Sequence, residues 1–414
     1  MPPDDLFEIY LQMLGVSESP NTYHRWSFLA VLGAWLGRKY HLPFGDSNIN
    51  CNMYVMLMGN AGARKSTAIH KAVKFIKAVG YSRIAASKTS KEKFLLDLAG
   101  ENLTDPSEIM ESNIFGSNLK DDSEILIAAD EFNVFMGNGN LEFLSLLGTL
   151  WDYDGVFDHA VKTTVGAVVN NPTISMIAGN TATSFALAFP IEAIGQGIFS
   201  RLLLIHGEKT NRRITIPPPM NPELKAQLIE TFHFIQKTCV GAAKFGHGAY
   251  DLIDKIYGAH RGITDIRFES YNNRRLTHLL KLCLLISATY STKTITEFHV
   301  IKANTILTHA EHGMPKALGE FGKAKNSDIA NKVLSALEEA PNGLPNIKGI
   351  WKQVCNDLES VDQLKQILGS LQLADKIMSI QGGGFVAKKI AVSHNSDTVD
   401  FSLLTNEEKG EVVL

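Results

Sequence analysis

"LMGNAGARKSTAIH" (57–70) is the stretch on which the fold turns. The apolar run "MYVMLM" (53–58) stops at Gly59, and a helical pattern opens near Lys65. That pattern sets Ile69, Ala72, Val73, Ile76 and Val79 against Lys71, Lys74 and Lys77, and Gly80 is placed to end it. A strand, a tight loop and a helix N-terminus together aim backbone N–H groups at phosphate oxygens. The predicted loop comprises Gly59, Asn60, Ala61, Gly62, Ala63, Arg64, Lys65, Ser66 and Thr67. In such a loop Lys65 reaches the β- and γ-phosphates of ATP, and Ser66 ligands Mg²⁺. Arg64 is the departure, because glycine is usual there and allows close backbone approach without a Cβ. Two readings of Arg64 stand: a negative φ with the side chain turned outward, or a guanidinium on the phosphates. The plain alternative for the whole loop is an ordinary strand–helix turn.

Partners for the loop lie downstream. "EILIAADEF" (124–132) reads as an apolar strand ending in two acids, about 70 residues after the loop. Asp130 is the candidate for holding Mg²⁺, and Glu131 for the general base that polarises the attacking water. "TISMIAGNT" (173–181) is a further strand, and it places Asn180 as a polar sensor of the γ-phosphate. In "GQGIFSRLLLI" (195–205), Arg201 opens another strand and is the candidate arginine finger, with Arg212 and Arg213 in reserve. The catalytic candidates are therefore Glu131, Lys65, Asn180 and Arg201. Each has a bland counterpart: a strand that simply ends in acids, an asparagine in a turn, a surface arginine.

Composition narrows the classes. The chain has 414 residues, 45% hydrophobic and 20% charged, with a net charge of −3. That is ordinary globular composition for two or three domains, without a global basic field. No apolar run reaches the ~20 residues of a membrane span. "LLKLCLLISA" (279–288) is too short and carries Lys281. The opening "MPPDDLFEIY" is acidic, unlike a secretory signal, so a cytoplasmic protein is expected. Cys51, Cys239, Cys283 and Cys355 lack C-x-x-C spacing and read as free thiols.

Five short apolar runs, at 53–58, 82–87, 124–130, 173–179 and 201–207, predict an α/β fold with a five-stranded parallel sheet between helices. The predicted organisation is an N-terminal helical segment (1–44), the P-loop core (45–216), a helical lid (217–322), a winged-helix-like domain (323–390) and an acidic flexible tail (391–414). Helices are expected at 4–14 and 21–38, the second with Asn21 as N-cap and an apolar face through Trp26, Leu29, Leu32 and Leu36. The break at "IPPPMNPE" (216–223) sets the lid boundary. A hairpin is expected around Gly382, Gly383 and Gly384.

"HRWSFLAVLGAWLGRKYHLPFG" (24–45), "MYVMLMGNAGARKST" (53–67), "LIAADEF" (126–132), "NNPTISMIAGNT" (170–181) and "GIFSRLLLIHGE" (197–208) together resemble the phage and prophage AAA+ helicase-like ATPases related to superfamily three. The resemblance covers roughly residues 5–320. It implies an AAA+ core, a homo-oligomeric ring (a hexamer), ATP hydrolysis with Mg²⁺ at subunit interfaces, and single-stranded DNA in the pore. It also implies that an arginine before the loop lysine is tolerated. In related motors the segment between the acidic and sensor strands meets DNA. Here "HAVKTTVGAVV" (159–169) reads as a hairpin with Lys162 and His159 near its tip. Such a lysine tracks phosphates without reading sequence; the plain alternative is a solvated lysine. Arg274 and Arg275 read equally as lid sensors, DNA contacts or a solvated face. Three functions compete: a replicative DNA helicase with a primase or other replisome protein as partner, a helicase loader or remodeller that does not unwind, and a nucleotide-switched DNA-binding adaptor.

Overall fold

The computed structural model describes residues 5–100, 123–159, 167–189, 197–319, 333, 337, 347–355, 360–373, 377–380, 384–387 and 398–411. Helix α1 (Leu6–Leu14) starts where the Asp5 carboxylate accepts the Phe7 N–H. Helix α2 (Asn21–Leu36) follows. Asn21, expected as its N-cap, is instead its first residue, after Pro20. Every residue from Thr22 to Leu36 is buried, so the expected single apolar face becomes a helix covered all round. Strands β1 (Tyr40–Phe44) and β2 (Ser47–Asn50) then form an antiparallel hairpin around Gly45 and Asp46, an element the sequence did not suggest.

The core follows in chain order as β3 (Tyr54–Met58), α3 (Lys65–Val79), α4 (Lys91–Ala99), β4 (Glu124–Ala129), α5 (Phe132–Met136), α6 (Leu141–Leu150), β5 (Val156–His159), β6 (Ala167–Asn170), β7 (Thr173–Asn180), α7 (Ala182–Ala188) and β8 (Leu202–His206). A four-stranded parallel sheet runs in the order β4-β7-β3-β8. All residues of β3 and β7 are buried, which is why both read as largely apolar without polar alternation. The expected fifth strand, 82–87, shrinks to one parallel bridge between Ile84 and Leu126 at the outer edge of β4. In "SRIAAS" only Ile84 is β-branched, and its small and polar neighbours offer little to pack on a pleated surface.

Helices dominate up to residue 319: α8 (Pro222–Thr238), α9 (Ala249–Ala259), α10 (Glu269–Asn272), α11 (Arg275–Thr289) and α12 (Glu297–Leu318). Asn221 caps α8, accepting from the Glu223 and Leu224 N–H groups. On α11, the fully buried Lys281 ammonium donates to Asn52 Oδ1 (2.7 Å) and Asn50 O (3.1 Å), tying this helix to the segment that leads into β3. By contacts, residues 1–319 and 395–414 form one unit and 320–394 a second. In the second unit α13 (Ile347–Val354) and α14 (Val361–Leu373) precede an antiparallel hairpin of β9 (Ile377–Ile380) and β10 (Gly384–Ala387). Leu364, Leu368, Ile350 and Ile377 are among the residues that form its core. Of the expected turn, Gly382 and Gly383 lie outside the described residues, and Gly384 opens β10. No helix among the described residues is long and apolar enough to cross a membrane. Cys51, Cys239 and Cys283 are buried free thiols.

The expected flexible tail is corrected for residues 398–411, which fold onto the first unit and end in α15 (Asn406–Glu411). Glu408 is fully buried and takes two hydrogen bonds from the Arg25 guanidinium of α2, at 2.6 and 2.7 Å. The Thr405 N–H and hydroxyl add 2.9 and 2.8 Å bonds to the same carboxylate. Burial alone would raise the Glu408 carboxyl, but Arg25 and the Thr405 N–H hold it at about 2. A depressed folded-state pKa gives stabilisation that is complete above the ordinary carboxylate range and lost as pH falls towards that value. Glu408→Ala leaves Arg25 buried and unpaired, so chemical denaturation should show a loss of about 3–5 kcal/mol at pH 7. Glu408→Gln should also flatten the acid limb of the wild-type stability curve. An unchanged curve would mean that the pair is not formed.

Candidate active site

Parallel strands of matched register bring their C-terminal ends to one level, where ligands of open α/β sheets bind. Met58 pairs with Asn180, and Ala178 with Ala129, so Gly59, Asn180 and Asp130 emerge side by side. The first loop N–H, that of Gly59, donates to the Asn180 carbonyl at 3.4 Å. A Cβ on Gly59 would lie 2.4 Å from the Tyr23 hydroxyl, so only glycine fits.

Lys65 opens α3 and curls its ammonium onto the carbonyls of Gly59 (2.7 Å) and Asn60 (3.1 Å). Partial burial lowers its pKa, with the Glu131 carboxylate opposing. Ser66 and Thr67 follow in the first turn of α3. Arg64 has φ 62 and ψ 32, the left-handed region, which corrects the expected negative φ. The chain must turn sharply from loop to helix here, and an L-residue in that conformation costs about 1–2 kcal/mol. The outward direction does hold: the Arg64 guanidinium pairs with Glu18 at 2.5 Å.

Asp130 is the first residue beyond β4, and its carboxylate lies 2.8 Å from His70 Nε2 on α3. His70 was not singled out from the sequence. Its signal is helical spacing, since it stands four residues after Ser66 on one face of α3. Glu131 is the N-cap of α5, but its side chain makes no capping bond, leaving the carboxylate available to the site. Asn180 is fully buried, and neither its amide oxygen nor its nitrogen has a hydrogen-bond partner among the described residues. Buried amides are nearly always paired. An orphan at this position fits a ligand that brings both an acceptor and a donor, as a γ-phosphate with its attacking water does. Among the described residues no group of three or more His, Cys, Asp or Glu side chains is placed to hold a metal. Ser66 and Asp130 alone suit Mg²⁺, which keeps most of its shell as water and phosphate oxygens.

Other candidates lie elsewhere. Arg201 precedes Leu202, which pairs with Tyr54 at the opposite end of β3 from the loop. About six residues of strand, roughly 20 Å, separate it from its own chain's loop. Arg212 is committed to the carbonyls of Ser17 and Ser19 and to Glu407, which removes it as a reserve finger. Arg275 is buried against Glu311 (2.7 Å), Asn304 (2.9 Å) and Thr308 (3.3 Å), so it holds the helices together and is no sensor or DNA contact. The hairpin expected before β7 is present as β5 paired with β6, and His159 ends β5. Lys162 lies outside the described residues. No family model matches the chain, and no curated protein matches it.

A buried amide without partners costs about 1–3 kcal/mol, and an apolar side chain of similar shape removes that cost. Asn180→Leu should therefore keep or raise the melting temperature while nucleotide hydrolysis falls by about 10²-fold, as for loss of a donor to developing charge. A marked loss of stability would identify the amide as a satisfied structural group instead.

Proposed function

We propose that the chain is the subunit of an ATP-hydrolysing motor acting on single-stranded DNA, with sites completed between copies in a homo-oligomeric ring. The observation that carries the ATPase reading is the orphaned Asn180 amide between the phosphate loop and the Asp130–Glu131 pair. The parallel sheet, with a strand remnant at Ile84, supports an AAA+ P-loop core. The helices and hairpin of the second unit support a winged-helix-like module.

Lys65 moves from its loop carbonyls onto the β- and γ-phosphates. Ser66 and Asp130 would hold Mg²⁺, which would supply charge neutralisation on the phosphate oxygens. Glu131 takes the proton of the attacking water as its oxygen bonds to the γ-phosphorus. The bond to the β–γ bridging oxygen breaks, and ADP leaves with the electron pair. Asn180 orients the water and the γ-phosphate, and Arg201 of a neighbouring copy stabilises the charge on the transferred group. The DNA half of the proposal rests on the family resemblance and on the β5–β6 hairpin, whose sequence carries Lys162 towards its tip.

Lys65→Ala should abolish nucleotide binding, whereas Glu131→Gln should bind ATP and lose about 10²–10⁴-fold in turnover. Wild-type turnover should rise on adding single-stranded DNA. Full turnover in Glu131→Gln would refute the general-base role, and indifference to DNA would refute the substrate.

The position of Arg201 generates a second test. Mixing Arg201→Ala with Lys65→Ala subunits should recover part of the activity, because some interfaces then join an intact loop to an intact arginine. Mixed rings that assemble and stay inactive would overturn the action in trans. Specific activity should also fall on dilution below the assembly threshold.

A further inference from the structure

We propose that Glu18 is a positioning residue for the phosphate loop, holding Arg64 in the left-handed turn that a glycine would adopt unaided. This rests on the nucleotide-binding reading of the loop. Glu18 belongs to the segment between α1 and α2, far from the loop in sequence. Its Oε2 pairs with the Arg64 guanidinium at 2.5 Å, while Oε1 accepts the Ile214 N–H at 2.8 Å. The Ile214 N–H, then Arg64, keep its carboxyl below the usual range, so it is ionised at neutral pH.

The carboxylate is itself held in place. The Thr210 hydroxyl donates to the Glu18 carbonyl at 2.7 Å. The Arg212 guanidinium bridges the carbonyls of Ser17 and Ser19 on either side and pairs with Glu407. Glu407 in turn accepts the Asn21 N–H at 2.9 Å. Glu18 is therefore a fixed anion presented by a braced segment, and Arg64 is the group that must conform to it.

Among the described residues three non-glycine residues have positive φ, and Arg64 alone of these borders a helix N-terminus placed to face phosphate. At such a position an arginine favours other backbone conformations, in which the N–H groups of Lys65 and Ser66 turn away from the ligand. Pairing with Glu18 removes that freedom and draws the guanidinium out of the loop. The second reading of Arg64, a direct phosphate contact, is then incompatible with the same side-chain position.

The test is a double-mutant cycle on nucleotide affinity, with ADP as the binding probe and ATP for steady-state kinetics. Glu18→Ala should weaken ADP binding and raise KM for ATP by about three- to fivefold, the range of a partly exposed ion pair. The kcat should stay within about twofold, because no reacting group is touched. Arg64→Gly should bind nucleotide at least as well as wild type. In the Arg64→Gly background Glu18→Ala should cost less than about twofold, since glycine needs no holder. Glu18→Gln, which keeps the acceptor for Ile214, provides the same reading if the alanine variant folds poorly. Equal affinity of Glu18→Ala and wild type overturns the proposal, as does an equal loss in both backgrounds, which would mark Glu18 as a general brace. A wild-type protein that binds no nucleotide overturns the nucleotide reading together with the proposal.

Discussion

The Tyr23 hydroxyl lies between the carbonyls of Met58 (2.6 Å) and Gly207 (2.9 Å); it fills the space that a Cβ on Gly59 would need, and the ring fills that of a Cβ on Gly207. One side chain of α2 thus joins the ends of β3 and β8 at the level where the 59–67 loop begins. The energy that seats α2 is apolar burial: Trp26, Phe28, Leu29 and Leu32 are each at most 2% exposed, worth about 1.5–3 kcal/mol apiece. A single hydroxyl bond, worth about 1 kcal/mol, adds little to that sum. Its contribution is register. Burial places the helix, and Tyr23 aligns it to the strand ends. Arg25, two residues on, then meets Glu408, and the segment before the helix meets Arg64.

What could be read from the sequence depended on how local each signal is. The strands of the sheet announce themselves because both their faces are covered, and Lys65, Asp130 and Asn180 follow as the residues that leave their ends. The same apolar criterion overreached at 82–87, where alanines and serines supply neither bulk nor branching. Features that depend on a distant partner stayed hidden. Glu408 counted as one acid in an acidic tail, yet its carboxylate is buried on Arg25, 383 residues away. Nothing in the sequence singles out Glu18, and the left-handed Arg64 makes sense only with that acid beside it. His70 was partly legible through its spacing from Ser66. Arg212 and Arg275 carried the right charge for function, but each is consumed by carboxylates or carbonyls that the sequence does not place.

Local costs collect at the strand ends. Lys65 is partly desolvated, Arg64 occupies a conformation that favours glycine, and Asn180 keeps two polar atoms buried without partners. Each lowers stability by an amount that an apolar or glycine substitute would return. Such strain persists only where the surrounding structure over-determines it. The covered α2, the Tyr23 contacts and the braced Glu18 provide that surrounding structure.

The opposite end of the sheet holds the complementary imbalance. Lys281, Arg201 and Arg274 stand 4.5, 5.7 and 6.0 Å from the Trp151 ring centre. Asp152 reaches Lys281 at 3.3 Å. Desolvation first, and then the neighbouring Arg274, lower the pKa of Arg201, and its Nε is buried without a hydrogen-bond partner among the described residues. A surplus of positive charge held against an indole face favours an arriving anion. The chain's own 59–67 loop lies too far away to deliver one, because the length of β3 separates the two ends. On the proposed reading, a nucleotide held in the loop of one copy would bring that anion to the cationic end of another. This separation, more than any single side chain, supports a site shared by neighbouring subunits.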